Sequence, residues 1–197
     1  MNMSRTAEIR RTTRETDIKC TFSIDGSGSG ERDTGIGFFD HMLDGFARHG
    51  LFDLNMECQG DTFVDGHHTV EDCGIVLGEA IKQALGDKAG IRRFGHSFVP
   101  MDDALVLCAV DLSGRPYLAW DAAFTADSIG SMDTQLAKEF FYAVSYSAGM
   151  NIHVKVISGE NDHHIMEAMF KAFARALDMA TVTDPRIEGV LSTKGSL

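Results

Sequence analysis

The chain is short of basic residues, of paired cysteine motifs and of long apolar runs, and each shortage excludes something. Against 29 Asp and Glu stand 18 Lys and Arg, a formal net charge of −11. A nucleic-acid binder needs a basic footprint and an anionic membrane surface attracts cations, so neither partner is expected. A small anionic substrate stays open, because a local cluster of Lys and Arg binds phosphate whatever the total charge. The four cysteines, Cys20, Cys58, Cys73 and Cys108, form no CxxC or other metal-like spacing and read as reduced, mostly buried thiols of a cytoplasmic protein. The longest strongly apolar run, 104–110, is far too short to span a bilayer. Arg5, Glu8, Arg10 and Arg11 have no apolar stretch behind them, so no secretory signal is expected.

What the chain does have is an internal duplication, weak in letters but clear in layout. A helix-like stretch over 37–49, a short strand over 51–58 and a polar turn over 60–66 lead into His67-His68-Thr69-Val70-Glu71 and a periodic segment reaching Leu85. Later, a helix over 134–147, a strand over 151–157 and a turn over 158–162 lead into His163-His164-Ile165-Met166-Glu167 and a helix reaching Ala180. Strand-like segments precede each block, at 7–24 and then at 94–99, 104–111 and 116–121. Ile165, Ala168, Met169, Ala172, Phe173, Ala176 and Leu177 recur at the spacing of a buried helix stripe, as do Val70, Cys73, Val76, Leu77, Ala80 and Ile81. The expectation is an α+β protein of two half-repeats, 1–90 and 91–197, each a sheet whose apolar face is covered by helices. Gly26-Ser27-Gly28-Ser29-Gly30 lacks a following Lys-Ser/Thr and reads as a loop, not a phosphate grip.

The chemistry-bearing feature is the pair of His-His-x-x-Glu segments. On a helix, residues i and i+4 lie one above the other, so His67 with Glu71, and His163 with Glu167, can each address one ion. The second histidines, His68 and His164, are rotated by about 100° and suit a different ion. Four imidazoles and two carboxylates point to a two-metal centre. Burying them without a cation carries a heavy desolvation cost. His41, 26 residues before His67, joins the set as a ligand of the same unit. Aligning the repeats puts Glu139 opposite His41 and makes it the matching ligand. His153 is the rival, on a strand position that matches Asn55. Mixed imidazole and carboxylate donors suit Mn, Fe, Co, Ni or Zn better than Mg or Ca.

These motifs, with RTTRET at 11–16, TGIGFFDHML at 34–43, DGHHTVED at 65–72, NDHH at 161–164, FKAFARAL at 170–177 and STKG at 192–195, resemble those of the imidazoleglycerol-phosphate dehydratase family of histidine biosynthesis. The resemblance runs over essentially the whole chain. It implies a tandem duplication of a ribosomal S5 domain 2-like unit. It also implies two Mn2+ per active site, and trimers assembled into a twenty-four-subunit homo-oligomer whose sites are shared between subunits. The reaction implied is removal of water from D-erythro-imidazole-glycerol phosphate to give imidazole-acetol phosphate. No carbonyl activates the carbon that loses its proton. The resemblance therefore implies a metal-bound imidazolate that expels the hydroxyl through a diazafulvene-like intermediate.

By the same resemblance a carboxylate, Glu15, exchanges the proton from a rigid strand position, and His41, His67, Glu71 and Glu167 belong to the catalytic set. The phosphate positions fall on Arg93, Arg115, Lys171, Ser192 and Lys194, with His49 and Asp102 as weaker substrate or ligand contacts. A di-metal redox enzyme would favour a helix bundle with Glu-x-x-His segments, which the intervening strands disfavour. A purely structural metal protein would leave Glu15 and the phosphate cluster without a purpose.

Overall fold

Alternation of apolar and polar residues builds two sheets of the same design. A computed structural model of the chain describes residues 5–197. The elements run β1 (Thr6–Thr12), β2 (Thr16–Ser23), β3 (Arg32–Asp33), α1 (Gly37–Gly50), β4 (Asp53–Gly60) and α2 (His67–Leu85). They continue with β5 (Phe94–Met101), β6 (Ala104–Asp111), β7 (Tyr117–Asp121), β8 (Ser128–Ile129), β9 (Met132–Asp133), α3 (Leu136–Ala148), β10 (Asn151–Ser158) and α4 (Asp162–Thr181). The first sheet has the order β1-β2-β4-β3 and the second β5-β6-β10-β7. In each, the first three strands are antiparallel and the last is parallel to its neighbour. This is an α+β fold of two similar units, with one strand order repeated.

Each sheet buries one face. Ile18, Cys20 and Phe22 on β2, and Val106, Cys108 and Val110 on β6, point inward at every second residue, as the two-residue period of a strand requires. α2 covers the first sheet through β1 and β2, and α4 covers the second through β5 and β6. Both predicted helix stripes are buried throughout. All four cysteines are free and buried, and burial pushes the Cys20 thiol up to about 12. No helix among the described residues is long and apolar enough to cross a membrane.

The remaining helices cross between units: α1 packs chiefly on α4, and α3 on α2. Phe46 of α1 stacks on Phe173 of α4 at 5.3 Å between ring centroids, and Phe39 of α1 meets Phe140 of α3 edge-on at 5.3 Å. The two units therefore share a single hydrophobic cluster. The close α2–α3 crossing depends on Gly74 and Gly78. A Cβ at Gly74 would lie 2.9 Å from the Phe140 carbonyl oxygen, and one at Gly78 would lie 2.8 Å from that of Val144. Side chains there would force α3 away from α2.

Candidate metal centre

The crossed packing decides which ligands meet. Asp40, in the first turn of α1 and next to His41, accepts the N–H (2.9 Å) and hydroxyl (2.6 Å) of Thr34, which ties that turn to the loop before it. Asn161 caps α4, its Oδ1 accepting the N–H groups of His163 (2.9 Å) and His164 (3.3 Å). His41 Nε2 then lies 3.8 Å, and His163 Nε2 3.4 Å, from Glu167 Oε2. These three residues offer ligand atoms all within 4.8 Å of one another, a grouping of three or more donors found nowhere else among the described residues. Two imidazole nitrogens and a carboxylate oxygen suit a divalent transition metal. His41 thus joins the ligand segment of the other unit. The α1–α4 packing sets which segment His41 meets, although His67 is the histidine of its own unit.

Glu167 is the hinge of this cluster. Its side chain is only 12 % exposed, and Oε1 accepts a hydrogen bond from Lys171 Nζ at 2.6 Å. Burial works to raise its pKa. The Lys171 bond and charge, with His41 and His163 behind them, outweigh burial and hold the carboxyl below its ordinary value.

The matching exchange occurs on the other pair of helices. His67 Nε2 lies 3.8 Å from Glu71 Oε2, one turn on. Asp65 Oδ1 accepts the His67 N–H at 2.8 Å, a counterpart of the Asn161 cap. Glu139, half-buried on α3, lines one cavity with His67, Asp65 and Asp133. Glu139 therefore faces the segment of the first unit, as His41 faces that of the second. His153 is exposed on β10, between buried Ile152 and Val154, so it projects from the sheet face opposite the helices. Tyr117 is its ring neighbour, at 6.1 Å.

The second histidines turn elsewhere, as helix geometry requires. The His67 and His68 rings stand at 86° to each other, and those of His163 and His164 at 79°. His68 Nε2 faces Glu15 Oε1 at 3.7 Å and His164 Nε2 faces Asp102 Oδ2 at 3.5 Å. Glu15 and Asp102 occupy equivalent β-turns, between β1 and β2 and between β5 and β6. The strand position expected for Glu15 is corrected. It sits in the turn, which is steadied by its N–H to Thr13 Oγ1 (3.0 Å) and by the Asp61 N–H to its carbonyl (3.0 Å). Asp102 has φ +48°, a left-handed conformation that Asp tolerates. Behind the rings, Asp61 bonds His68 Nδ1 and Asp103 bonds His164 Nδ1. The Asp61 bond raises the pKa of His68 and the Asp103 bond raises that of His164. Sequence reasoning missed both aspartates. Nothing marked Asp61 or Asp103 beyond their place in polar turns.

The expected phosphate residues fall into two groups. Arg93, Arg115, Ser192 and Lys194 line one cavity, walled by the C-terminal segment. Arg93 bonds Asp111 at 2.7 and 3.1 Å and donates to the Leu191 carbonyl at 2.8 Å, which draws the segment over the cavity. Residues 192–195 are thus a wall and not a free tail. Lys171 stands apart, paired with Glu167. His49, at the end of α1, has its pKa lowered by burial first and by the nearby charges of Lys171 and Arg175 next. The described residues thus bring together one three-donor cluster and one basic cavity, and none of His67, His68 and His164 belongs to such a cluster.

Comparison with known proteins agrees with this chemistry. Residues 34–177 match the family model for imidazoleglycerol-phosphate dehydratase. The chain is 63 % identical over 195 residues to the imidazoleglycerol-phosphate dehydratase of Lachnoclostridium phytofermentans, covering 99 % of this chain and 100 % of that protein. It is 62 % identical over 195 residues to that of Acetivibrio thermocellus, with the same coverage. The crystal structure of the dehydratase from Staphylococcus aureus superposes with a TM-score of 0.83 at 39 % identity, over 91 % of this chain and 99 % of that one. The structure from Pyrococcus furiosus superposes at 0.84 and 41 %, over 96 % and 100 %. The chain belongs to the imidazoleglycerol-phosphate dehydratase family.

Proposed function

We propose that the chain removes water from D-erythro-imidazole-glycerol phosphate to give imidazole-acetol phosphate, with two Mn2+ per active site. The observation that carries the metal dependence is the convergence of His41, His163 and Glu167 within 4.8 Å. The first ion is assigned to these three, with His68 brought by another copy of the chain. The second is assigned to His67, Glu71, Glu139 and His164. The bound ions supply Lewis acidity and a template for the substrate imidazole. The place of His67, His68 and His164 outside any three-donor cluster of the described residues supports a homo-oligomer whose sites are completed between subunits, and the family's twenty-four-subunit particle of trimers is the form we assign.

The chain's own residues supply the rest. Glu15, half-exposed in its turn and 3.7 Å from His68 Nε2, takes the proton from the substrate carbon that loses it. The neighbouring carbon loses its hydroxyl, so one C–H and one C–O bond break and one water leaves. Arg93, Arg115, Ser192 and Lys194 hold the phosphate by charge-assisted hydrogen bonds. Lys171 keeps Glu167 ionised and oriented, and His49 and Asp102 flank the bound substrate. The duplicated order of elements supports a ribosomal S5 domain 2-like unit repeated over 1–90 and 91–197.

The experiment is turnover of imidazole-glycerol phosphate by metal-stripped and Mn-reconstituted protein. Loss on chelation and recovery with Mn2+ supports the reading. Full turnover by protein free of metal on elemental analysis sinks it.

A further inference from the structure

We propose that Asp61 and Asp103 are positioning residues for His68 and His164, each holding the proton on Nδ1 so that Nε2 is the nitrogen that binds metal. The inference rests on the metal-dependent reading above.

The contacts are direct. Asp61 Oδ1 and Oδ2 lie 3.2 and 3.1 Å from His68 Nδ1. Asp103 Oδ1 lies 2.6 Å from His164 Nδ1. An ionised carboxylate only accepts, so Nδ1 must donate in both pairs. In the neutral ring the proton is then spent, and Nε2 is left with a lone pair. Such outer carboxylates orient metal-bound imidazoles and raise their basicity. The Nε2 edges point the other way, to Glu15 and Asp102, at 3.7 and 3.5 Å, beyond hydrogen-bonding distance.

The two contacts arise from non-equivalent places. Asp61 follows β4, ahead of α2 in its own unit. Asp103 lies in the turn between β5 and β6, whose counterpart in the first unit is the Glu15 turn. Duplication therefore did not copy this pairing. Each second histidine acquired a carboxylate on Nδ1 by its own route, which is what a shared chemical requirement would produce.

Backbone bonds hold the Asp103 carboxylate itself and the main chain of Asp61. Asp103 Oδ2 accepts the N–H groups of Glu160 (2.6 Å) and Asn161 (3.0 Å), so it is fixed by the loop that caps α4. The Asp61 N–H donates to the Glu15 carbonyl at 3.0 Å, and its carbonyl accepts the Val64 N–H at 2.8 Å. One residue thus ties the Glu15 turn to the His68 ring.

Asp103 also has a plain structural use as a staple between the turn and the loop, and Asp103→Asn separates the two roles. The amide oxygen can keep the Glu160 and Asn161 bonds, which puts the NH2 group against His164 Nδ1. The ring can then accept only by moving its proton to Nε2, the wrong tautomer for ligation. Asp61→Ala is the second variant, because among the described residues the Asp61 carboxylate bonds only the His68 ring and its loss leaves the backbone bonds intact.

The test is Mn2+ titration of metal-stripped full-length protein by calorimetry, with solid-state 15N spectra of histidine-labelled protein to report the tautomers. Asp103→Asn is expected to weaken Mn2+ binding about 10–100-fold and to add an Nε2–H signal. Asp61→Ala is expected to weaken binding by a similar factor. Binding within about 3-fold of wild type in either variant overturns the role of that residue. A fall in metal-free melting temperature with no change of tautomer would reduce Asp103 to a staple. Wild-type protein that takes up no Mn2+ would sink the metal-dependent reading itself. Wild-type uptake with unaffected variants sinks only the positioning role.

Discussion

Replacing Glu167 by Gln keeps the side chain's shape and removes its charge, which isolates what that charge does. Three cationic or potentially cationic groups surround the carboxylate: Lys171 Nζ at 2.6 Å, His163 Nε2 at 3.4 Å and His41 Nε2 at 3.8 Å. In the metal-free protein the main loss is the charge-assisted bond to Lys171, worth about 1.5–3 kcal/mol. For a chain of this size each kcal/mol moves the melting temperature by about 2–4 °C, so a fall of roughly 3–12 °C is expected. The effect on metal is larger. Changing an outer partner of a metal ligand already costs about 10–100-fold in affinity, and Glu167 is the anionic member of the three-donor cluster. Glu167→Gln should therefore weaken one Mn2+ site by more than about 100-fold. Lys171→Met is the control, since it breaks the same bond but spares the carboxylate. It should lose similar metal-free stability and weaken Mn2+ binding by no more than the about 10–100-fold expected of an outer partner. Calorimetric titration of stripped protein reads both quantities. Glu167→Gln binding Mn2+ at both sites as wild type does would refute the reasoning.

Glu15→Gln should reduce turnover by about 10²–10⁴-fold with Mn content unchanged by elemental analysis. Near-normal turnover removes Glu15 from proton transfer. Glu139→Ala should lower Mn content and turnover, and Glu139→His should preserve much of both. His153→Ala, on the far face of β10, should leave Mn content alone, and the reverse pattern would show that the repeats were matched wrongly. The pKa values of His68 and His164 are raised, by Asp61 and Asp103 respectively, so metal must displace protons that these rings keep above the ordinary histidine value of about 6.5. Mn2+ uptake should weaken as pH falls through that region and release protons near pH 7, as measured by calorimetry in buffers of different ionisation enthalpy. The two Asp–His pairs stabilise the metal-free fold in the opposite sense. Their contribution is full below about pH 6.5 and is lost as pH rises through the raised folded values.

The helices and strands were legible because their periodicities are local. The α2 stripe from Val70 to Ile81 and the alternation along β6 announce buried faces without reference to any partner. The paired His-His-x-x-Glu segments were legible for the same reason, since i and i+4 geometry lies within one helix. What could not be read was the crossing of α1 onto α4 and of α3 onto α2. It depends on how Phe46 finds Phe173 and how Gly74 and Gly78 admit α3, contacts between residues far apart in the chain. A matching of repeats by order alone therefore made His41 and Glu139 equivalent without showing which segment each meets, and packing gives His41 to His163 and Glu167. The same limit hid Asp103, whose partner His164 lies 61 residues away. Arg93 and Arg115 also lie far along the chain from the C-terminal segment they meet, and only the resemblance to the family placed those residues together.

The anomalous-scattering map of Mn-loaded crystals tests the central claim most directly. A Mn peak at about 2.0–2.3 Å from His41 Nε2, His163 Nε2 and a Glu167 carboxylate oxygen is the predicted result. Mn peaks that leave all three of these residues more than about 4 Å away, in protein that turns over the substrate, would contradict it.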